Sequence, residues 1–196
     1  MTAQDPRPDT THFGFRDVPV ADKQKLVGEV FSSVASSYDL MNDLMSFGIH
    51  RVWKRYFVAT AQVARGDRVL DLAGGTGDIA ALLRSRVGDS GELVLGDING
   101  NMLRVLKVGG QARVLEFSEV PDWFKPAYDF HSFKVLPKLG RLFANDADSY
   151  QYLAESIRKH PPQDELKSMM EVAGFARCRY RNLSGGIVAI HDGYKA

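Results

Sequence analysis

At 196 residues, 44% of them hydrophobic and 25% charged, the chain has the make-up of an ordinary globular protein that can bury a core of its own, with one domain as the default. Its 25 basic and 24 acidic residues nearly cancel to a formal charge of +1, which excludes a global field that draws the protein onto nucleic acid. A single cysteine, Cys178, excludes an internal disulfide and leaves too few thiolates for a structural zinc site, so no metal is expected and a reducing compartment is.

The first fifteen residues carry two prolines and small polar groups and read as a flexible tail. They lack the charged-then-apolar pattern of a signal peptide. No run of roughly 18 apolar residues spans a bilayer, so a cytoplasmic location is expected. Leu26, Val30, Phe31 and Val34 then recur at helical spacing behind Asp22 as a cap. A second helical stretch, SFGIHRVWKRYFVATAQVA, places Ile49, Trp53, Tyr56 and Phe57 on one face. DRVLDLAGG is a short apolar strand stopped by glycines, DIAALLRSRVG a helix ending at Gly88, and GELVLGD a second strand. This strand, glycine turn, helix, strand order marks a parallel α/β sheet. QARVLEF is a further strand and Trp123 to Phe143 an aromatic and basic helical region. Two helices broken at Pro161 and Pro162 follow, and two closing strands around Ser184, Gly185 and Gly186 have hairpin spacing.

The chemistry concentrates in VLDLAGGTGDIA, where Gly74, Gly75 and Gly77 let the backbone turn tightly and approach a ligand at a helix N-terminus. Gly75, Gly77 and Ala80 satisfy the dinucleotide-binding fingerprint, with Asp97 about 20 residues on to take a ribose hydroxyl. Against a pyrophosphate stand Asp71, late in the strand, and Asp78, whose charges favour a cationic ligand. S-adenosylmethionine, with its sulfonium and ammonium, fits these carboxylates, and its ribose diol suits Asp97. A nicotinamide or flavin nucleotide and a purely structural glycine turn remain as alternatives.

The blocks FSSVASSYDLMNDLMSFGIHRVWKR, VLDLAGGTGD, LVLGDIN with NML, VLEFS, AYDFHSFKVLPKLG, NDADSYQYLAESIRKHP and AGF, in that order, closely resemble the menaquinone and ubiquinone biosynthesis C-methyltransferases. The resemblance implies a class I methyltransferase fold, a Rossmann-like sheet with helices on both faces and a C-terminal hairpin, over residues 16–196. It implies S-adenosylmethionine as methyl donor and a polyprenylated quinol as acceptor, either demethylmenaquinol or 2-polyprenyl-6-methoxy-1,4-benzoquinol. The family's cofactor positions fall on Thr76 and Asp97.

Between NML and the LKPGG of the family lies a longer segment holding the third and fourth strands, contacts to the adenine side, and a stretch facing the acceptor. Here NMLRV runs directly into LKVGG, so that segment is missing between Val105 and Leu106. The fifteen residues Ile98 to Ala112 still suffice for a parallel crossover. NMLRVLK is then expected as a helix of about two turns stopped by Gly109 and Gly110. The strand ARVLEF either moves beside RVLDLA or leaves a gap, and both outcomes open one wall of the cofactor pocket. The shortened chain is therefore expected to be a methyltransferase by descent with little or no turnover, or an inactive homologue that binds a partner.

Methyl transfer to carbon asks the protein to position the donor and to deprotonate the quinol. Tyr38 and Asp39, with Asn42, lie in a polar break between apolar stretches and are candidates for lining the acceptor pocket, against a plain helix cap. His50 and His131 are candidate bases, against the commoner reading of each as structural. Trp123 to Phe143 interleaves aromatics with Lys125, Lys134, Lys138 and Arg141, which suits either a core helix or a peripheral contact with the inner face of an anionic membrane. No nucleic-acid module is present. The resemblance leaves room for a homo-oligomer or a quinone-biosynthesis complex.

Overall fold

The computed structural model describes residues 9–34, 38–96 and 109–196, which fall into two compact units, Met1–Gly48 with Phe117–Pro162, and Ile49–Glu116 with Gln163–Ala196.

The first unit opens on a hairpin, β1 (Thr10–Phe13) against β2 (Arg16–Pro19). A tail to residue 15 is therefore corrected: Phe13 is 5% exposed and stacks on Tyr152 at 4.0 Å between ring centroids. The turn needs Gly14, at φ 58°, because a Cβ there would stand 2.3 Å from Glu155 Oε2, which itself accepts the Phe15 N–H at 2.9 Å. Helix α1 (Val20–Val34) carries Asp22 within its first turn and not at the cap, a place that still suits the helix dipole. Helix α2 (Tyr38–Ser46) occupies what reads in sequence as a polar break. Val34 and Met41 pack with Leu136, Tyr150 and Ala154 as this unit's core. Those partners come from α6 (Leu136–Ala144) and α7 (Ala147–Arg158), which follow α5 (Lys125–Phe130) and a π-helical turn at His131–Val135. Asp146 caps α7 by accepting the Ser149 N–H at 2.9 Å and takes the Ser33 hydroxyl of α1 at 2.7 Å, which ties the two helices together.

In the second unit, α3 (His50–Ala59) buries Trp53 and Phe57, each such side chain contributing about 1.5–3 kcal/mol. Ile49 precedes its first turn and is exposed. Strands β3 (Arg68–Leu72) and β4 (Glu92–Gly96) pair in parallel, Asp71 opposite Leu95, and α4 (Asp78–Val87) makes the crossover and stops at Gly88, φ 67°. Phe57, Val58, Leu83 and Ile190 form the core, with Val69, Leu93 and Leu115 against it. The strand β5 (Gln111–Phe117) belongs to a separate sheet of order β5–β7–β6, with β6 (Phe175–Leu183) and β7 (Val188–Lys195) antiparallel. Helix α8 (Gln163–Val172) covers that sheet through Met170, which packs with Ala112, Phe175 and Cys178. The cysteine is half-buried and burial pushes its thiol above the ordinary value.

Of the two outcomes expected for ARVLEF, the gap is the one observed. Among the described residues β3 pairs with β4 alone and β5 pairs with β7. One edge of β3 is thus without a strand neighbour there, although Leu115 of β5 and Val69 of β3 share a core. The expected helix at NMLRVLK lies outside the described residues.

Candidate active site

The parallel pair ends in the glycine turn. Ala73 leaves β3 at φ 56°, a conformation that costs a non-glycine residue on the order of 1 kcal/mol or more. Its N–H nonetheless bonds to Gly96 O at 2.9 Å, and Gly77 N–H to Gly74 O at 2.8 Å. Gly75 and Gly77 have φ 53° and 81°, and Gly77 precedes the first turn of α4. Gly74 is demanded by contact: a Cβ there would stand 2.4 Å from Leu95 Cδ1 and 2.7 Å from Asp71 Oδ2.

Asp71 is the distinctive charge of the turn. Burial pushes its carboxyl above the ordinary range, partly offset by a hydrogen bond from the Ala80 backbone N–H. Its Oδ2 is buried and has no hydrogen-bond partner among the described residues. A buried acceptor of this kind is costly unless something donates to it, so the turn fits a ligand carrying a cationic donor. Asp78 plays a different part from the one its position suggests. It takes the Lys54 ammonium at 2.7 Å, which holds its carboxyl below the ordinary range. Its charge is compensated within the protein, and the preference for a cation rests on Asp71. Thr76 is exposed in the turn. Asp97 lies outside the described residues.

The acceptor-side candidates lie in the first unit. Tyr38 packs against that unit's core, Asp39 is exposed in the first turn of α2, and Asn42 O accepts the Ser46 hydroxyl at 2.6 Å. His131 begins the π-helical turn, a feature often found at functional sites. Its ring lies 4.5 Å from that of Phe47. Burial lowers its pKa, offset in part by a hydrogen bond with the Leu44 backbone, and Nε2 has no partner among the described residues. Burial thus favours the uncharged ring, the form a base requires. His50 is buried at the start of α3 in the second unit. No group of three or more potential metal ligands occurs among the described residues.

The region from Trp123 to Phe143 is split by burial. Leu136 is in the core and Phe133 packs against it, while Trp123 (80% exposed), Phe130, Leu142 (74%) and Phe143 face outward, beside exposed Lys134, Lys138 and Arg141. No helix among the described residues is long and apolar enough to cross a membrane.

A parallel strand, glycine turn, helix, strand unit with a half-buried carboxylate at its turn, one oxygen of which has no partner among the described residues, defines a Rossmann-like α/β protein, the fold class of the methyltransferases. Comparison with known proteins narrows that class. The model of the ubiE/COQ5 methyltransferase family matches residues 18–105 and again 101–195, so the chain belongs to that family. It is 63% identical to the ubiquinone/menaquinone biosynthesis C-methyltransferase UbiE of Xanthomonas campestris pv. campestris over 243 residues, 95% of this chain and 96% of that protein. It is 62% identical over 243 residues to the protein of the same name from Stenotrophomonas maltophilia, with the same coverage, and 58% identical over 252 residues, the whole of both chains, to that of Xylella fastidiosa. These alignments are longer than the chain itself, so the relatives carry residues with no counterpart here. The two family matches overlap at 101–105, at the junction where the sequence reads as shortened.

Proposed function

We propose that the chain is an S-adenosylmethionine-dependent C-methyltransferase of quinone biosynthesis, with a polyprenylated quinol, demethylmenaquinol or 2-polyprenyl-6-methoxy-1,4-benzoquinol, as acceptor, and with turnover strongly reduced by the missing segment. The observation that supports the donor assignment is Asp71, a half-buried carboxylate at the glycine turn whose buried Oδ2 has no partner among the described residues, in a chain of a methyltransferase family. When bound, S-adenosylmethionine supplies an electrophilic methyl group on a sulfonium. Asp71 receives the ligand's cationic end, the Gly74 to Gly77 backbone admits it closely, and Asp97 takes the ribose diol through charge-assisted hydrogen bonds of about 1.5–3 kcal/mol.

The names of the relatives support the acceptor class. His131, whose pKa burial lowers and whose Nε2 has no partner among the described residues, is the base best suited to take a quinol proton, with Tyr38 and Asp39 as further candidates on α2. Trp123, Phe130, Leu142 and Phe143 with Lys134, Lys138 and Arg141 form the surface by which the protein meets the membrane that holds the acceptor. The reading of reduced turnover is supported by the edge of β3, which has no strand neighbour among the described residues, and by the family's adenine-side and acceptor-side contacts lying in the segment missing from this chain.

The test is a pair of binding titrations, S-adenosylmethionine beside a reduced nicotinamide nucleotide. Saturable binding of the methyl donor alone is expected. Tight binding of the nicotinamide nucleotide with none of the methyl donor would contradict the assignment.

A further inference from the structure

The three-stranded sheet carries a second concentration of charge that the methyl-transfer reading leaves unused. Arg179 and Arg181 are two apart on β6 and so share a face, and Asp192 of β7 stands opposite Arg179 in the register, as Ile190 does opposite Arg181. On the other side of β7, Arg113 of β5 reaches the same carboxylate. Its Nε lies 3.4 Å from Asp192 Oδ1, and Arg179 Nε lies 3.8 Å from Oδ2. Together with Thr60 and Ile190 these residues line a cavity of about 120 Å³.

The charges do not balance. Two guanidiniums, those of Arg113 and Arg179, meet at one carboxylate, which is shared further with the Gln111 side-chain amide at 3.2 Å, while a third, that of Arg181, lines the same cavity. Among the described residues Asp192 is the only carboxylate lining the cavity. Arg113 is 12% exposed in its side chain and is held in a fixed pose, donating from Nη1 to Thr60 O at 2.5 Å and from Nη2 to Thr60 Oγ1 at 2.7 Å, with its guanidinium 5.1 Å over the Phe57 ring. Burial, reinforced by Arg179 and Arg181 and opposed by Asp192, pulls its pKa below the ordinary value. Arg181 is positioned by donating to the Tyr56 hydroxyl. Arg179 is the open member, with 69% of its side chain exposed.

A cluster of like charges that the fold holds together gains from a ligand that neutralises it. Guanidinium forks match the oxygens of phosphate bidentately, and water takes about 30 Å³ in the liquid, so the cavity has room for a small tetrahedral ion. We propose that the face of β5–β7–β6 around Arg113, Arg179 and Arg181 is a binding site for a phosphate group, free or carried by a lipid head. This site is separate in sequence from the glycine turn and does not depend on the donor or acceptor assignment.

The experiment titrates the whole chain with inorganic phosphate at constant ionic strength, with chloride as the control, and measures pelleting with vesicles of phosphatidylcholine with or without phosphatidic acid. Both are repeated on R179Q/R181Q, a pair of exposed positions whose replacement spares the buried Arg113. Saturable binding of one phosphate, weakened roughly tenfold or more in the double variant, shows that the site takes the free ion. Pelleting that needs phosphatidic acid and is lost in the double variant shows that it takes the lipid head. Absence of both, or binding that the double variant leaves unchanged, overturns the proposal. Circular dichroism of the double variant, expected to match the parent, separates a lost site from a lost fold.

Discussion

Gly74 lies so close to the Asp71 carboxylate that a single added carbon would collide with it, at 2.7 Å from Oδ2, and with the Leu95 side chain at 2.4 Å. The glycine and the carboxylate therefore form one device: the absence of a side chain at 74 is what leaves the Asp71 oxygen room at the turn.

Gly74→Ala is expected to push Asp71 and Leu95 from their places. Overpacking of this kind costs about 1–3 kcal/mol. Chemical denaturation should report that loss, and titration with S-adenosylmethionine should report weaker binding. A variant that binds the donor as the parent does would separate the glycine from the site.

Asp71→Asn should act in opposite directions on stability and on binding. The folded protein raises this carboxyl's pKa, chiefly by burial. The fold therefore binds more protons than the unfolded chain, and the stability linked to the group, present below the unfolded value, is lost as pH rises through the folded one. At neutral pH the parent carries the cost of a buried charge, which asparagine lacks. The variant is expected to be at least as stable as the parent at pH 7, with donor affinity lowered about tenfold or more. Melting curves at pH 4 and 7 check the first claim: the difference in stability between parent and variant should move in the variant's favour as pH rises.

Lys54 and Asp78 have the opposite pH signature. The Lys54 hydrogen bond, the largest cause, depresses the Asp78 carboxyl, so the pair's contribution is present above the unfolded carboxylate value and lost as pH falls through the folded one. Lys54→Met is expected to cost about 0.5–1 kcal/mol at pH 7 for a partly exposed pair and less at low pH, as the Asp78 carboxyl protonates. Urea midpoints at the two pH values measure it. An equal loss at both would assign the effect to packing of the lysine stem.

Replacing Lys134, Lys138 and Arg141 by glutamine is expected to weaken salt-sensitive association with anionic vesicles, each basic residue near such a surface contributing about 1 kcal/mol. If the triple variant pellets as well as the parent, the outward aromatics of α5 and α6 serve another purpose.

What was legible in the sequence was local. Arg68–Leu72, the glycines and Asp78–Val87 form a strand, turn and helix whose limits are set by residues within the unit itself, and Gly88 ends the helix as its φ of 67° requires. The closing hairpin around Ser184 to Gly186 was readable for the same reason. What was missed depends on distant partners. The β1–β2 hairpin looks like a tail because TTHF is short and polar, and its anchors, Tyr152 and Glu155, lie far along the chain. YDLMNDLMS reads as a break because its polar residues interrupt the apolar run, yet Met41 is held in the core by Leu136 and Tyr150. Lys54 gave no sign of pairing with Asp78, and Arg113, Arg179 and Arg181 meet only through the order β5–β7–β6. The buried oxygen of Asp71 was half-legible: the sequence placed a carboxylate at the turn, and only packing shows that its Oδ2 has no partner among the described residues.

The central claim is that this chain keeps the floor of a methyl-donor site and has lost a wall with the missing segment. Two neutral hydrogen bonds of about 1 kcal/mol each and some stacking area make the donor weaker by roughly a hundredfold. A misplaced acceptor costs more, since alignment supplies about 7–11 kcal/mol of such a barrier. The most direct measurement is transfer of a radiolabelled methyl group from S-adenosylmethionine to demethylmenaquinol by this chain and by a full-length relative, side by side. The account predicts donor binding with turnover at least roughly a hundredfold below the relative's; turnover comparable to the relative's would show that the short crossover rebuilds the site, and would contradict it.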